Sequence, residues 1–196
     1  MRVGLTGGIG AGKSAVAAIL GELGAFLVDT DAIAREVVAP QSDGLLAVGR
    51  VWPQVVRNGA LDRAALADIV FNDSDARDRL NALLHPHIRR IALERERRAG
   101  PDQPIVHIVP LLFETGYDRL VDKSIVVVAP LEARIDRVVE RDRSDEGRVR
   151  ARMDAQVDPD VARRRADFVI ENNGDLEELR ERTLAVYEAL RSTGFS

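Results

Sequence analysis

The hydrophobic residues of this chain follow two patterns that alternate along its length. Amphipathic stretches with helical spacing, such as 14–23 and 131–142, separate short apolar runs. The runs are typical of strands covered on both faces, and they lie at 3–6, 25–29, 105–109, 124–129 and 168–171. Because strands and helices alternate, we predict an α/β fold with a five-stranded parallel sheet and flanking helices.

One region interrupts this alternation, because residues from about 41 to 104 have a mostly helical pattern. We predict helices near 45–52 and 61–71, with a loop at 53–60 between them. The dipeptide His85-Pro86 should break the helical run that follows, since the residue before a proline disfavours helical geometry. We therefore predict a single domain at 1–196, with a core at 1–33 and 105–196 and a helical insert at 34–104.

Residues 7–14 read GGIGAGKS and match the phosphate-binding loop motif G-x-x-x-x-G-K-[ST]. The motif follows a predicted strand and opens a predicted helix, which argues against a glycine-rich turn that binds nothing. Glycines let successive backbone N–H groups point at one anion, and the helix N-terminus adds further donors. In this arrangement Lys13 reaches the β- and γ-phosphates of a nucleotide, and the Ser14 hydroxyl can bind Mg²⁺.

An acidic residue, Asp31, follows the second predicted strand. Ligands of open parallel sheets bind at the carboxyl ends of the strands, so Asp31 should share an edge with the phosphate loop. It could accept a proton from an attacking hydroxyl, hold Mg²⁺ through water, or cap the helix predicted at 32–38. The residue type alone leaves these roles open.

Composition excludes several classes of protein. The chain has 196 residues, a net charge of −4 and no cysteine, so no basic field attracts nucleic acid and no disulfide or thiolate chemistry is available. We find no long apolar span and no signal peptide, and we expect a cytoplasmic monomer without a nucleic-acid or membrane partner. Only Lys13 and Lys123 are lysines among 28 basic residues, so any single arginine is weak evidence of function.

Several short segments together resemble one family. They are GLTGGIGAGKS at 4–14, DTDAIAR at 29–35, GALDR at 59–63, VF at 70–71, LN at 80–81, HP at 85–86, PLLFE at 110–114 and NNG at 172–174. In this order and spacing they resemble dephospho-coenzyme A kinase over nearly the whole chain. The resemblance implies a P-loop NTPase fold with a helical acceptor-binding insert and a lid at 141–156. It also implies transfer of the ATP γ-phosphoryl, with Mg²⁺, to the ribose 3′-hydroxyl of dephospho-CoA, the last step of coenzyme A biosynthesis.

The same resemblance assigns roles to individual residues. It implies that the catalytic residues are Asp31, Lys13 and Arg137. The implied ATP-binding residues are Gly8, Gly10, Ala11, Gly12, Lys13, Ser14, Ala15, Arg137 and Asn172, with Ser14 as the metal ligand. The implied acceptor-binding residues are Asp31, Arg35, Arg63, His85, Leu111 and Glu114. The implied lid residues are Arg141, Arg148 and Arg152.

Structural roles remain open for some of these residues. His85 could cap a helix before Pro86, Leu111 could serve packing, and the lid arginines could form a solvated face. Arg134, Arg137 and Arg141 share a helical face, and family matching selects Arg137 as the one aimed at the triphosphate. Residues 141–148 contain almost no apolar side chain, so we expect this segment to be loose without ligands.

One motif of many P-loop proteins is missing. The strand that ends at Pro110 carries no Walker-B aspartate, so Mg²⁺ must depend on Ser14, phosphate oxygens, water and Asp31.

A kinase of nucleoside monophosphates or sugar acids is the nearest alternative function, and the insert and the PLLFE segment favour dephospho-CoA. A GTPase switch is disfavoured, because neither D-x-x-G nor N-K-x-D occurs.

Overall fold

A computed structural model describes residues 1–143, 145–154, 156 and 158–194. The chain divides into two units: Met1–Val28 together with the chain from Ala99 onward, and Asp29–Arg98. The strands are β1 (Arg2–Gly7), β2 (Phe26–Asp29), β3 (Val56–Arg57), β4 (Ala60–Leu61), β5 (Ile105–Ile108), β6 (Lys123–Val128) and β7 (Phe168–Glu171). The α-helices are α1 (Lys13–Glu22), α2 (Thr30–Val37), α3 (Asp43–Val51), α4 (Arg63–Asn72), α5 (Ser74–Glu96), α6 (Leu131–Asp142), α7 (Glu146–Asp154), α8 (Pro159–Arg165) and α9 (Leu176–Gly194).

The main sheet has the five parallel strands that the apolar runs predict, in the order β2-β5-β1-β6-β7. The central strand β1 pairs with both β5 and β6, so that Val3 lies opposite Val106 and Lys123. Helices α1 and α9 pack on this sheet and bury Val16, Leu20 and Leu190. These crossover connections bring the carboxyl ends of the strands to one edge, where ligands of such folds bind.

Asp175 caps α9. One of its carboxylate oxygens accepts hydrogen bonds from the backbone N–H groups of Glu177 and Glu178, both at 2.9 Å. These two hydrogen bonds satisfy two backbone N–H donors that the first helical turn leaves unpaired.

The second unit contains a small hairpin where we expected only a loop. Strands β3 and β4 pair antiparallel, and Asn58 and Gly59 connect them with positive φ values of 51° and 75°. Two consecutive residues with positive φ form the type I′ turn, for which Asn-Gly is the preferred sequence. The prediction of a loop through 53–60 was therefore wrong at 56–57 and at 60, and the Asn-Gly pair was the signal that it overlooked.

Helix α5 continues through Pro86, so the predicted break at His85 is wrong. Pro86 removes one hydrogen bond, to the carbonyl of Ala82, and its ring crowds that carbonyl. The helix has 23 residues and packs against α2, α3 and α4, and these contacts hold it on both sides of the proline. Tertiary packing therefore outweighs a local preference.

Within the described parts of the chain, no helix is both long and apolar enough to cross a membrane.

Candidate functional site

The phosphate loop connects the end of β1 to the start of α1. Gly10 and Gly12 have φ values of 76° and 100°, in the left-handed region that favours glycine. A Cβ at Gly10 would overlap the backbone carbonyl of Arg134, and one at Gly12 would overlap the side-chain amide of Asn172. Backbone geometry and close neighbours thus both require glycine at these two positions.

Lys13 turns back over its own loop. Its Nζ donates hydrogen bonds to the carbonyls of Gly7 at 2.5 Å and Gly8 at 3.2 Å. Ser14, in the first turn of α1, is exposed to solvent. The arrangement places an ammonium group and a hydroxyl group beside the free N–H donors of a helix N-terminus, which is the chemistry that a polyphosphate and its cation require.

Side chains from distant parts of the chain hold the loop from outside. Asn172, just after β7, is buried, and its amide donates to the Ala11 carbonyl at 2.8 Å. Arg137, half-buried on α6, donates from Nη1 to the Gly10 carbonyl at 3.2 Å. Both residues were predicted to bind ATP, and both contact the loop that would hold the triphosphate.

The peptide groups of Ile9 are held on both sides. Arg134 donates from Nε to the Ile9 carbonyl at 2.9 Å, and the Ile9 N–H donates to Oε1 of Gln156 at 2.7 Å. Sequence analysis grouped Arg134 with Arg137 and did not single out Gln156. The only signal in the sequence was that the two arginines lie three residues apart on one helical face.

Asp31 lies in the first turn of α2 and is exposed. The cap of this helix is Asp29, whose Oδ1 accepts from the backbone N–H groups of Asp31 at 2.9 Å and Ala32 at 3.0 Å. The interpretation of Asp31 as the N-cap is therefore wrong, because the helix begins two residues earlier than predicted. Its carboxylate does not serve as the cap, and the residue is exposed.

The segment after β5 completes the edge of the main sheet. Thr6 donates its hydroxyl to the Pro110 carbonyl at 3.2 Å, which ties this segment to β1. Leu112 is fully buried, whereas Leu111 is 42% exposed and does not serve core packing. Glu114 is exposed, and it lines a cleft together with Thr6 and Gly8. Of the predicted acceptor residues, Leu111 and Glu114 thus lie on the strand-end side of this unit.

Comparison with known proteins identifies the family. The family profile for dephospho-CoA kinase matches residues 1–178. A dephospho-CoA kinase of Moorella thermoacetica is 44% identical over 194 residues, which cover 96% of this chain and 92% of that protein. The chain belongs to the dephospho-CoA kinase family. Its activity is the kinase reaction of that family, within coenzyme A biosynthesis.

Solved structures are similar to this member of the dephospho-CoA kinase family as well. TT1252 from Thermus thermophilus is 38% identical, with a TM-score of 0.87 and 96% of each chain covered. A dephospho-CoA kinase from Campylobacter jejuni is 26% identical, with a TM-score of 0.71 over 99% of this chain and 98% of that one. The P-loop kinase fold inferred from the sequence is therefore confirmed.

Three predicted acceptor residues of this dephospho-CoA kinase lie in the second unit. Arg35 is in the last turn of α2, Arg63 is the first residue of α4, and His85 lies in the middle of α5. All three side chains are exposed. His85 cannot be a helix cap, because α5 continues on both sides of it, so that alternative is wrong.

The predicted lid arginines of this kinase form ion pairs or face solvent. Arg141 donates to both carboxylate oxygens of Asp142, at 2.7 and 3.0 Å, and Arg152 approaches the same carboxylate at 3.4 Å. Hydrogen bonds from Arg141, and to a lesser extent from Arg152, lower the pKa of Asp142. Arg148 is exposed. Ser144 and Ala155 of the predicted lid lie outside the described residues.

Helix α7, which lies in the predicted lid, is better anchored than its sequence suggested. Val149 is fully buried and Met153 nearly so, and both pack against Ile135 and Val138 of α6. The expectation of a segment with almost no apolar anchor was drawn from 141–148 and stopped one residue short of Val149. Helix α7 is therefore docked on α6 through these two residues, and the expected looseness does not extend to them.

Proposed function

We propose that this chain transfers the γ-phosphoryl group of Mg²⁺-bound ATP to the ribose 3′-hydroxyl of dephospho-CoA, with Asp31 as the general base. The observation that carries the proposal is the phosphate loop, in which Lys13, the start of α1 and the left-handed glycines form one anion-binding turn. Phosphoryl transfer depends mainly on positioning and charge neutralisation, and this turn supplies both.

Each loop residue has a distinct part in this scheme. The backbone N–H groups of Gly12, Lys13 and Ser14 would bind phosphate oxygens, whereas those of Ala11 and Ala15 donate to the Gly8 and Gly12 carbonyls, each at 3.1 Å. Lys13 would exchange its bonds to Gly7 and Gly8 for the β- and γ-phosphates. Arg137 would stabilise the charge that develops as the γ-phosphoryl group leaves. Asn172 would act indirectly, since its amide is bonded to the Ala11 carbonyl.

The acceptor side depends on Asp31. Its carboxylate is exposed in the first turn of a helix that Asp29 caps, so Asp31 is not needed as the cap. General-base assistance of this kind is worth about 10²–10⁴-fold in rate. Arg35, Arg63, His85, Leu111 and Glu114 are the residues that we propose for binding the acceptor, as the family resemblance suggests.

Mg²⁺ fits the donors that the chain offers. Among the residues that the structure describes, no group of three or more His, Cys, Asp or Glu side chains could form a protein-built metal site. Mg²⁺ usually keeps several waters and takes one or two protein ligands together with substrate phosphates. The Ser14 hydroxyl therefore suffices as a protein ligand, and the bound ion would neutralise charge on the triphosphate.

We further propose that the enzyme acts as a monomer in the cytoplasm.

Acceptor selectivity tests this proposal. With ATP and Mg²⁺, purified protein should phosphorylate dephospho-CoA efficiently, whereas adenosine and AMP should be much poorer acceptors. Adenosine also has a ribose 3′-hydroxyl, so the difference would measure the use of remote binding energy from the rest of the acceptor. Equal turnover with adenosine or AMP would favour a nucleoside or nucleotide kinase instead.

A further inference from the structure

Helix α6 contributes a buried charge to the side of the phosphate loop. Arg134 is only 6% exposed, although arginine is rarely buried without a charged partner. Burial lowers the pKa of its guanidinium group, and no carboxylate among the described residues opposes that shift. Arginine nevertheless stays protonated in proteins, so this position carries a permanent positive charge.

The guanidinium group lies directly against the loop. Its Nε donates to the Ile9 carbonyl at 2.9 Å, and its Nη2 and Cζ occupy the space that a Cβ at Gly8 would need. It also lines the cleft that Thr6, Gly7 and Gly8 line. The motif leaves the residue at position 8 free to vary, and in this chain a side chain there would displace the Arg134 guanidinium from its place against the loop.

We propose that Arg134 is a positioning residue of the kinase, which orients the phosphate loop through the Ile9 carbonyl and whose buried charge strengthens binding of the nucleotide polyphosphate. A charge in a site of low dielectric acts on a nearby anion far more strongly than one in water. Within the described residues the guanidinium has a hydrogen-bond acceptor but no counter-charge, and a bound polyphosphate supplies that counter-charge. The proposal rests on the proposed role of the phosphate loop.

Two substitutions separate the charge from the hydrogen bond. Arg134→Gln keeps an N–H donor for the Ile9 carbonyl and removes the charge, whereas Arg134→Lys keeps the charge and removes the planar fork. Arg180→Gln is the matched control, because Arg180 forms an exposed ion pair with Glu22. Circular dichroism and thermal unfolding would establish that each variant is folded.

Inorganic tripolyphosphate and adenosine are the probes, and calorimetry on the full chain is the measurement. We expect Arg134→Gln to weaken tripolyphosphate binding about tenfold or more, as for loss of a charge-assisted interaction. Arg134→Lys should lose about threefold or less, and Arg180→Gln should bind as wild type does. Adenosine affinity should not change in any variant. The proposal would be overturned if Arg134→Gln and Arg134→Lys bound tripolyphosphate with affinities within twofold of each other. A purely structural role of Arg134 would not depend on the charge of the side chain.

The wild-type protein offers a second measurement if Arg134→Gln does not fold. The Nε–H signal of Arg134, assigned by its absence in Arg134→Lys, should shift in ¹⁵N spectra on addition of tripolyphosphate but not of adenosine. No shift at saturating tripolyphosphate would overturn the proposal. Failure of the wild-type protein to bind tripolyphosphate at all would instead contradict the proposed role of the phosphate loop.

Discussion

At the scale of single residues, the two lysines of the chain offer a controlled test of the phosphate loop. Lys13→Ala should leave the fold intact, because this side chain is only partly buried and bonds the Gly7 and Gly8 carbonyls of its own loop. It should lower turnover about 10²–10³-fold, since the β- and γ-phosphates lose their nearest cation. Steady-state kinetics with ATP and dephospho-CoA measures the effect.

Lys123→Ala is the matched control for that substitution. Lys123 forms a partly exposed ion pair with Asp167 at 3.0 Å, so its loss should cost at most about 1 kcal/mol of stability and leave turnover unchanged. A folded Lys13→Ala protein with turnover close to that of Lys123→Ala would contradict the assignment of the loop.

Asp31 allows a second test at this scale. Asp31→Asn keeps the size of the side chain but cannot accept a proton, and turnover should fall about 10²–10⁴-fold with a small change in ATP affinity. The control is Asp43→Asn, because Asp43 is likewise exposed in the first turn of a helix, α3. If both variants keep wild-type turnover, Asp31 is a surface residue and the base lies elsewhere.

The sequence predicts some site residues and not others, for a physical reason. Lys13 and Ser14 follow from an eight-residue motif, since local backbone geometry fixes their chemistry. Arg134 and Gln156 contact Ile9 across 125 and 147 residues of chain, and no local pattern records such contacts. The same limit applies to Asp31. The helix begins two residues earlier than predicted, so Asp29 is the cap and Asp31 is an exposed residue of the first turn.

At the scale of secondary-structure elements, Asp167 ties the start of β7 to β6. Its carboxylate accepts from the Ser124 N–H and hydroxyl, both at 2.8 Å, and from Lys123. Burial favours the neutral acid, but these hydrogen bonds outweigh it and lower the pKa of Asp167 below the ordinary 3.8. The folded state therefore binds the Asp167 proton less readily than the unfolded chain does.

The sign of the pH dependence follows from this lowered pKa. The stabilisation by Asp167 should be complete well above pH 3.8 and should be lost as the pH falls below that value. Asp167→Asn should thus reduce the free energy of unfolding by about 1 kcal/mol at pH 7 and by less near pH 3. Denaturant unfolding at both pH values measures this, with Asp102→Asn as a surface control. A difference that grows towards low pH would contradict the contacts described for Asp167.

Element prediction succeeded where pattern and packing agree. The five apolar runs became the strands of the sheet. The central strands β1 and β6 are buried almost throughout, whereas Leu27 of the edge strand β2 is 36% exposed. It failed at Pro86, where packing against three helices outweighs one lost hydrogen bond, and at 56–61, where two-residue strands are too short to give a period.

At the scale of the whole molecule, the segment that we propose as a lid should become ordered when both substrates bind. Because Val149 and Met153 already anchor α7 on α6, hydrogen exchange should slow chiefly in peptides that cover the end of α6 and the start of α7. The measurement compares the free protein with the complex of an ATP analogue and dephospho-CoA.

A substitution complements that measurement. Arg137→Ala should lower turnover more than it weakens ATP binding, with Arg180→Ala as the control. Unchanged exchange in the ternary complex, together with wild-type turnover of Arg137→Ala, would leave these arginines as solvated surface.

The central claim concerns the bond that forms, so the position of the new phosphate is the most direct test. Purified protein would be incubated with ATP, Mg²⁺ and dephospho-CoA, and in parallel with analogues that lack either the 2′- or the 3′-hydroxyl of the ribose. The account predicts that ³¹P NMR and mass spectrometry find one new phosphomonoester on the 3′-oxygen, that the 2′-deoxy analogue is still phosphorylated, and that the 3′-deoxy analogue is not. Phosphorylation of the 3′-deoxy analogue, or a product modified at any other position, would contradict it.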